Sequence, residues 1–225
     1  MTAEGRWRRP GDAAPGFRLP AINRDGTISL DDYRGRCSVL VGLFRGLHCP
    51  FCRRQLVQLG TTQEKLKAMG VETVAIVNTP VDRARLYFSY RPARVLLAAD
   101  PDAATHQAFG VPAFDFVEDE RAVRLPFRLT MRQFGSVLIN PTGEMPSPRN
   151  GLEANTVLNE KDGFQPNEVD QQIAAAHGTQ LAGHFLIDRQ GIVRWVDVEA
   201  AAGAADIGKW PVEEDILKAA RALPG

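Results

Sequence analysis

The segment that most constrains this chain is Ser38-Val39-Leu40-Val41-Gly42-Leu43-Phe44, a nearly unbroken apolar run of strand length. Such a run has no polar face to offer water, so it belongs inside a sheet covered on both sides. The residues after it agree with that setting. Gly46, Leu47 and His48 break the strand, and Pro50 suits a first helical turn, where its missing N–H would have no partner anyway. Leu56, Leu59, Leu66 and Met69 then recur at helical spacing, and Gly70 supplies a stop. The pattern predicts a strand over Val71–Val77, a helix over Val81–Tyr90, a strand over 95–99 and a short helix over 102–109 ending at Gly110. Strand, helix, strand, helix in that order implies βαβ units and a parallel sheet core.

Two hairpins flank this core. Alternating residues 17–22, the turn cluster 23–26 and residues 27–30 form the first; residues 184–187, the turn 188–191 and residues 192–196 form the second. A closing helix over 211–223 has Pro211 at its start and Glu213, Glu214 and Asp215 in its first turn, where the helix dipole favours acids. Between residues 111 and 180 the regularity fails. That stretch holds short strands at 124–129 and 136–139, a polar tract from Asn140 to Asn167, and a helix over 166–176 with Asn167 as its cap. It is too long for a plain loop. The chain therefore reads as a single α/β domain over 1–225 with an insertion at approximately 112–180, a candidate lid, dimer contact or partly mobile segment.

Charge narrows the partners. The 225 residues carry 27 basic and 27 acidic side chains, so bulk charge points to neither nucleic acid nor an acidic membrane. Residues 1–9 are basic without an apolar run behind them, and no stretch approaches a membrane span; neither a signal peptide nor a membrane segment is expected. Three cysteines, an odd number, do not make a disulfide scaffold. A reducing cytoplasm is the expected compartment, and there paired cysteines are catalytic or metal-binding.

Cys49-Pro50-Phe51-Cys52 sits where the buried strand gives way to the helix. Unpaired N–H groups and the helix dipole stabilise a thiolate there, lowering a cysteine pKa from about 8.5 towards roughly 3.5–7.5. A partner one turn later is near enough to close a disulfide. Arg45, Arg53 and Arg54 flank the pair and would favour the thiolate further. A zinc site needs four ligands; only Cys37 and four scattered histidines remain, with no second close pair, so neither metal nor organic cofactor is expected. His48 reads equally as a proton shuttle or a polar loop residue. Arg45 is a charge donor to the motif or a solvated residue at a strand end. His184 is expected near the cysteines, more as a packed histidine than as an acting one. Cys37 reads as a buried hydrophobe, and Trp195 and Trp210 as packing residues.

Four further segments carry a resemblance to a known family. Gly11-Asp-Ala-Ala14-Pro15-Gly-Phe17-Arg-Leu19-Pro20, Gly26-Thr-Ile-Ser-Leu30-Asp-Asp-Tyr33-Arg-Gly35, Ala99-Asp100-Pro101-Asp102 running to Ala108-Phe109-Gly110-Val111, and Phe185-Leu-Ile-Asp188-Arg-Gln-Gly191-Ile-Val-Arg194 resemble, in order, segments of the peroxiredoxin-like family. This is the alkyl hydroperoxide reductase–thiol-specific antioxidant (redoxin) group of the thioredoxin superfamily. The resemblance implies a thioredoxin-like fold with a mixed central sheet flanked by helices, an N-terminal β-hairpin and a homodimer. The motif departs from the peroxidase pattern. Aligned on Cys52, Arg45 stands where the family has a proline, Cys49 where it has a threonine, and Ala182 near its helper arginine. Against thioredoxin, Gly183 takes the place of the cis-proline and His48 that of the tryptophan.

The resemblance implies an antioxidant oxidoreductase that reduces hydroperoxides through a Cys49/Cys52 dithiol–disulfide cycle. A thioredoxin- or glutathione-type thiol would then supply the electrons. By peroxiredoxin logic Cys52 attacks and Cys49 resolves; by thioredoxin logic the order is reversed, and the sequence leaves it open. A thioredoxin-like disulfide reductase is the alternative enzyme. A redox-sensing interaction protein, with the insertion as its binding surface, is the alternative outside catalysis.

Overall fold

The computed structural model describes residues 7–224. Residues 1–6, most of the basic N-terminal stretch, lie outside the described residues. The first hairpin pairs β1 (Arg18–Pro20) with β2 (Thr27–Ser29) antiparallel. Then come β3 (Ser38–Phe44), α1 (Pro50–Ala68), β4 (Val71–Val77), α2 (Val81–Tyr90), β5 (Leu96–Ala99) and α3 (Ala104–Phe109). The apolar runs land where their lack of a polar face requires: β3 and β4 are almost wholly buried. Gly70 ends α1 with φ 74°, a backbone angle that residues with a side chain adopt only at a cost. The expected helix at 102–109 begins two residues late because Asp100 caps it. Its carboxylate accepts the Ala104 and Thr105 N–H groups, and Ala103 is left in a left-handed turn.

Residues 115–177 form β6 (Asp115–Phe116), β7 (Arg128–Leu129), α4 (Met131–Ser136), β8 (Leu138–Ile139), β9 (Arg149–Asn150), α5 (Gly151–Lys161) and α6 (Glu168–His177). The expected strands at 124–129 and 136–139 shrink to two-residue pairings, and residue 136 belongs to α4. The polar tract 140–167 is not irregular throughout: α5 runs through it, started by Asn150, whose side chain accepts the Glu153 N–H. Its polar composition hid a helix that buries only Ala154 and Leu158. Asn167 caps α6 as expected, in a reciprocal capping box with Asp170.

The chain returns through β10 (Gly183–Ile187), β11 (Val193–Val198) and α7 (Glu213–Arg221). The main sheet has the order β11-β10-β3-β4-β5, with β3, β4 and β5 parallel and β10 antiparallel to both neighbours. This is a thioredoxin-like mixed α/β fold. β3 lies at its centre, so the residues after its C-terminal end sit above the middle of the sheet. No helix among the described residues is long and apolar enough to cross a membrane.

Candidate active site

Cys49 is the N-cap of α1. Its backbone is extended, Pro50 takes the first helical position, and the sulfur accepts the Cys52 N–H at 3.1 Å. A cap normally satisfies one of the unpaired N–H groups at a helix start with an oxygen; here a sulfur does so, and the interaction favours the thiolate. Both cysteines are free and buried, at 1% and 2% exposure.

Arg45 leaves the end of β3 and turns back over the cap, its Nε donating to Cys49 Sγ at 3.3 Å. Both of its Nη groups are engaged elsewhere. Nη1 and Nη2 reach the two carboxylate oxygens of Glu199 at 2.7 and 2.8 Å, and Nη1 also donates to the Gln180 carbonyl at 2.8 Å. Glu199 in turn accepts the backbone N–H groups of Ala182 at 2.9 Å and Gly208 at 2.7 Å. A buried ion pair is favoured when further hydrogen bonds meet its remaining groups, as the two backbone donors do for Glu199. Arg45 is thus no solvated strand end but a fixed donor aimed at the sulfur.

The two thiols are driven apart. Burial pushes the Cys49 thiol up, but the hydrogen bond from Cys52 and the charge of Arg45 outweigh it and bring the value down to about 6. Cys52 is pushed well above the ordinary thiol value by its burial, then by its hydrogen bond to Cys49 and that residue's negative charge. At neutral pH the pair is therefore a Cys49 thiolate beside a Cys52 thiol.

The other expected residues divide. His48 stands at the site; both its ring nitrogens are buried without a hydrogen-bond partner, and burial followed by the nearby Arg45 charge lowers it to about 4, leaving it neutral. Arg53 and Arg54 do not face the sulfur. Arg53 donates to the Leu47 carbonyl, to Asn159 at 2.9 Å and to Asp162, and lies 4.3 Å over the Phe164 ring. Arg54 holds Asp162 and Glu144. Both fasten the insertion to the start of α1, aided by Asn155 and Asn159, which donate to the His48 carbonyl. His184 is packed on β10 between Phe44 and Trp210, with ring centroids 5.4 and 6.0 Å away, and burial lowers it to about 3. Its role is that of a core residue. Cys37 precedes β3 at the end opposite Arg45, roughly 23 Å of strand away, and burial raises its thiol. Among the described residues no group of three or more His, Cys, Asp and Glu is placed to hold a metal ion.

Glu199, Gln180 and the insertion residues around Asp162 carry no motif. Glu199 directly follows β11, which ends in buried Val198.

The family model described as Redoxin matches residues 9–156. No curated protein matches the sequence significantly. Among solved structures the chain is similar to a 2-Cys peroxiredoxin from Plasmodium vivax (TM-score 0.58, 15% identity, covering 95% of this chain and 80% of that one). It is also similar to the peroxidoxin BcpB from Mycobacterium tuberculosis (0.55, 13%, 97% and 99%). A third likeness is to a putative thiol:disulfide interchange protein DsbE from Chlorobium tepidum (0.53, 20%, 95% and 99%).

Proposed function

The chain belongs to the Redoxin family and is a thiol oxidoreductase; on that premise we propose that it reduces hydroperoxides, with Cys49 as the attacking thiolate and Cys52 as the resolving thiol. The observation that carries this reading is the hydrogen bond from Arg45 to Cys49 in a site where neither sulfur is more than 2% exposed. A sulfur buried so deeply suits a small oxidant better than the disulfide of a folded protein. Arg45 supports both ends of the step, stabilising the thiolate and then the negative charge passing to the leaving oxygen.

In the cycle the Cys49 thiolate attacks the terminal peroxide oxygen. The S–O bond forms as the O–O bond breaks, giving a sulfenic acid and an alkoxide or hydroxide that takes a proton from water. The Cys52 thiol then attacks the sulfenate sulfur, the disulfide forms and water departs. An external thiol of thioredoxin or glutathione type returns two electrons by disulfide exchange. No metal or organic cofactor enters, and a reducing cytoplasm would supply the thiol. One observation favours a second reading, protein disulfide reduction: a low first cysteine and a high second one also suit a dithiol donor.

The test is to mix reduced protein with one equivalent of hydrogen peroxide, follow thiol loss by stopped flow and map the product by mass spectrometry. Oxidation much faster than a free thiol, ending in a Cys49–Cys52 disulfide, is expected. Slow oxidation with fast exchange against a model disulfide would transfer the assignment to the reductase.

A further inference from the structure

A cavity of about 330 Å³ opens beside Arg45 and His48. The first turn of α1 contributes Phe51, but the insertion supplies most of the wall: Phe114, Phe116 and Phe134, with Met131 and Leu152 at the rim. Phe51, Phe114 and Phe134 are buried, whereas Met131 and Leu152 are 48% and 60% exposed, so the cavity has an apolar floor and an accessible mouth. Phe134 meets Phe114 and Phe116 edge-on at 5.5 and 5.2 Å, an arrangement that extends readily to a further ring. A dry cavity of about 150 Å³ is enough for benzene, so this one has room for a ring with a short substituent.

Among the described residues its polar side chains are Arg45, His48, Asn155 and Thr179. Arg45 is the only charged one among the described residues of the wall, and Glu199 already matches its charge in a bidentate pair. Of the buried side-chain polar atoms without a partner among the described residues, only those of His48 belong to this wall. A charged ligand would find no free counterion here; an uncharged one would find the neutral polar groups of His48, Asn155 and Thr179. Cys49 itself lies one side chain behind the wall, in contact with Arg45.

We propose that this cavity is a substrate subsite that takes an uncharged aryl group attached to the oxidant, with the reacting oxygens reaching past His48 to Cys49. The inference rests on the peroxidase reading, which makes the oxidant an aryl-bearing organic hydroperoxide. The Cys49 thiolate takes the terminal oxygen, the O–O bond breaks, and the departing aryl alkoxide receives a hydrogen bond from the neutral His48 ring before taking a proton from water.

The test uses the reduced full chain and cumyl alcohol, the product of cumene hydroperoxide reduction, so that binding is read without turnover. Ligand-observed NMR should show saturable binding, weakened about tenfold or more by Met131→Trp or Leu152→Trp, exposed rim positions where a larger ring can be held without entering the core. In the same variants the ratio of oxidation rates, cumene hydroperoxide over hydrogen peroxide, should fall about tenfold. His48→Leu should slow cumene hydroperoxide reduction, and His48→Gln, which keeps an N–H donor, should restore part of it. Absence of saturable binding, or binding that neither rim variant weakens, overturns the subsite. Binding that follows the rim variants without fast oxidation by either peroxide upholds the subsite and overturns the peroxidase reading instead.

Discussion

Arg45 and Arg53 stand four residues before and four after Cys49, and both are buried, yet their guanidiniums serve different parts of the molecule. Arg45 turns inward over the cap, bonded to Cys49 and to Glu199 at the end of the sheet. Arg53 turns outward from the helix, bonded to Asn159 and Asp162 of the insertion and stacked on Phe164. The first network sets the charge state of a sulfur. The second fixes a wall around it. Closeness to a motif along the chain therefore says little about electrostatic partnership, because a residue leaving a strand end and one in a first helical turn point in different directions.

The strongest break in this comparison is Glu199→Ala. It leaves Arg45 buried without its counterion and two backbone N–H groups without an acceptor, and should destabilise the protein by about 3–5 kcal/mol in chemical denaturation. Asp162→Asn weakens the other network, whose carboxylate is a quarter exposed; the expected loss is about 1–2 kcal/mol. It should be accompanied by faster proteolysis within residues 112–180. An equal loss in the two variants would remove the distinction between the networks.

A subtler break separates charge from stability. Replacing the pair together, Arg45→Met with Glu199→Gln, avoids an orphaned buried charge and should raise the Cys49 pKa from about 6 by roughly one to three pH units, read by thiolate ultraviolet absorbance. Asp162→Asn should leave it near 6, and a comparable rise there would merge the two networks. The mildest probe is alkylation of the wild type. Since the Cys49 value is depressed, its thiolate fraction grows as pH rises through about 6, so its alkylation rate should climb through that value and level off above it. Cys52, whose thiol is raised, should stay unmodified across that range. Labelling of Cys52 first would reverse the assigned roles.

The sheet core was legible because its signals are local. The predicted bounds of β3, β4 and α2 coincide with those observed, since an unbroken apolar run or a helical period needs no knowledge of distant residues. The insertion was poorly legible for the converse reason. The helix α5 buries only two of its residues and is held by polar contacts to α1, so its sequence lacks an apolar stripe. At the site, Cys49 and Cys52 were readable from their spacing and place at a helix start, and Arg45 and His48 from adjacency. Adjacency also makes Arg53 a thiolate neighbour, and it proves to be an anchor; His184 packs in an aromatic cluster, the packed reading expected of it.

The sequence by itself determined that a strand would deliver two cysteines to a helix N-terminus, because strand burial, the proline at the first helical position and the one-turn spacing are properties of consecutive residues. Only the tertiary structure decided which sulfur is the thiolate and what stands around it. Arg45 meets Glu199 across 154 residues of chain, and Arg53 meets Asn159 across 106. No local pattern encodes such pairings: they exist only once the sheet has brought the end of β11 beside the end of β3, and the insertion has packed against α1.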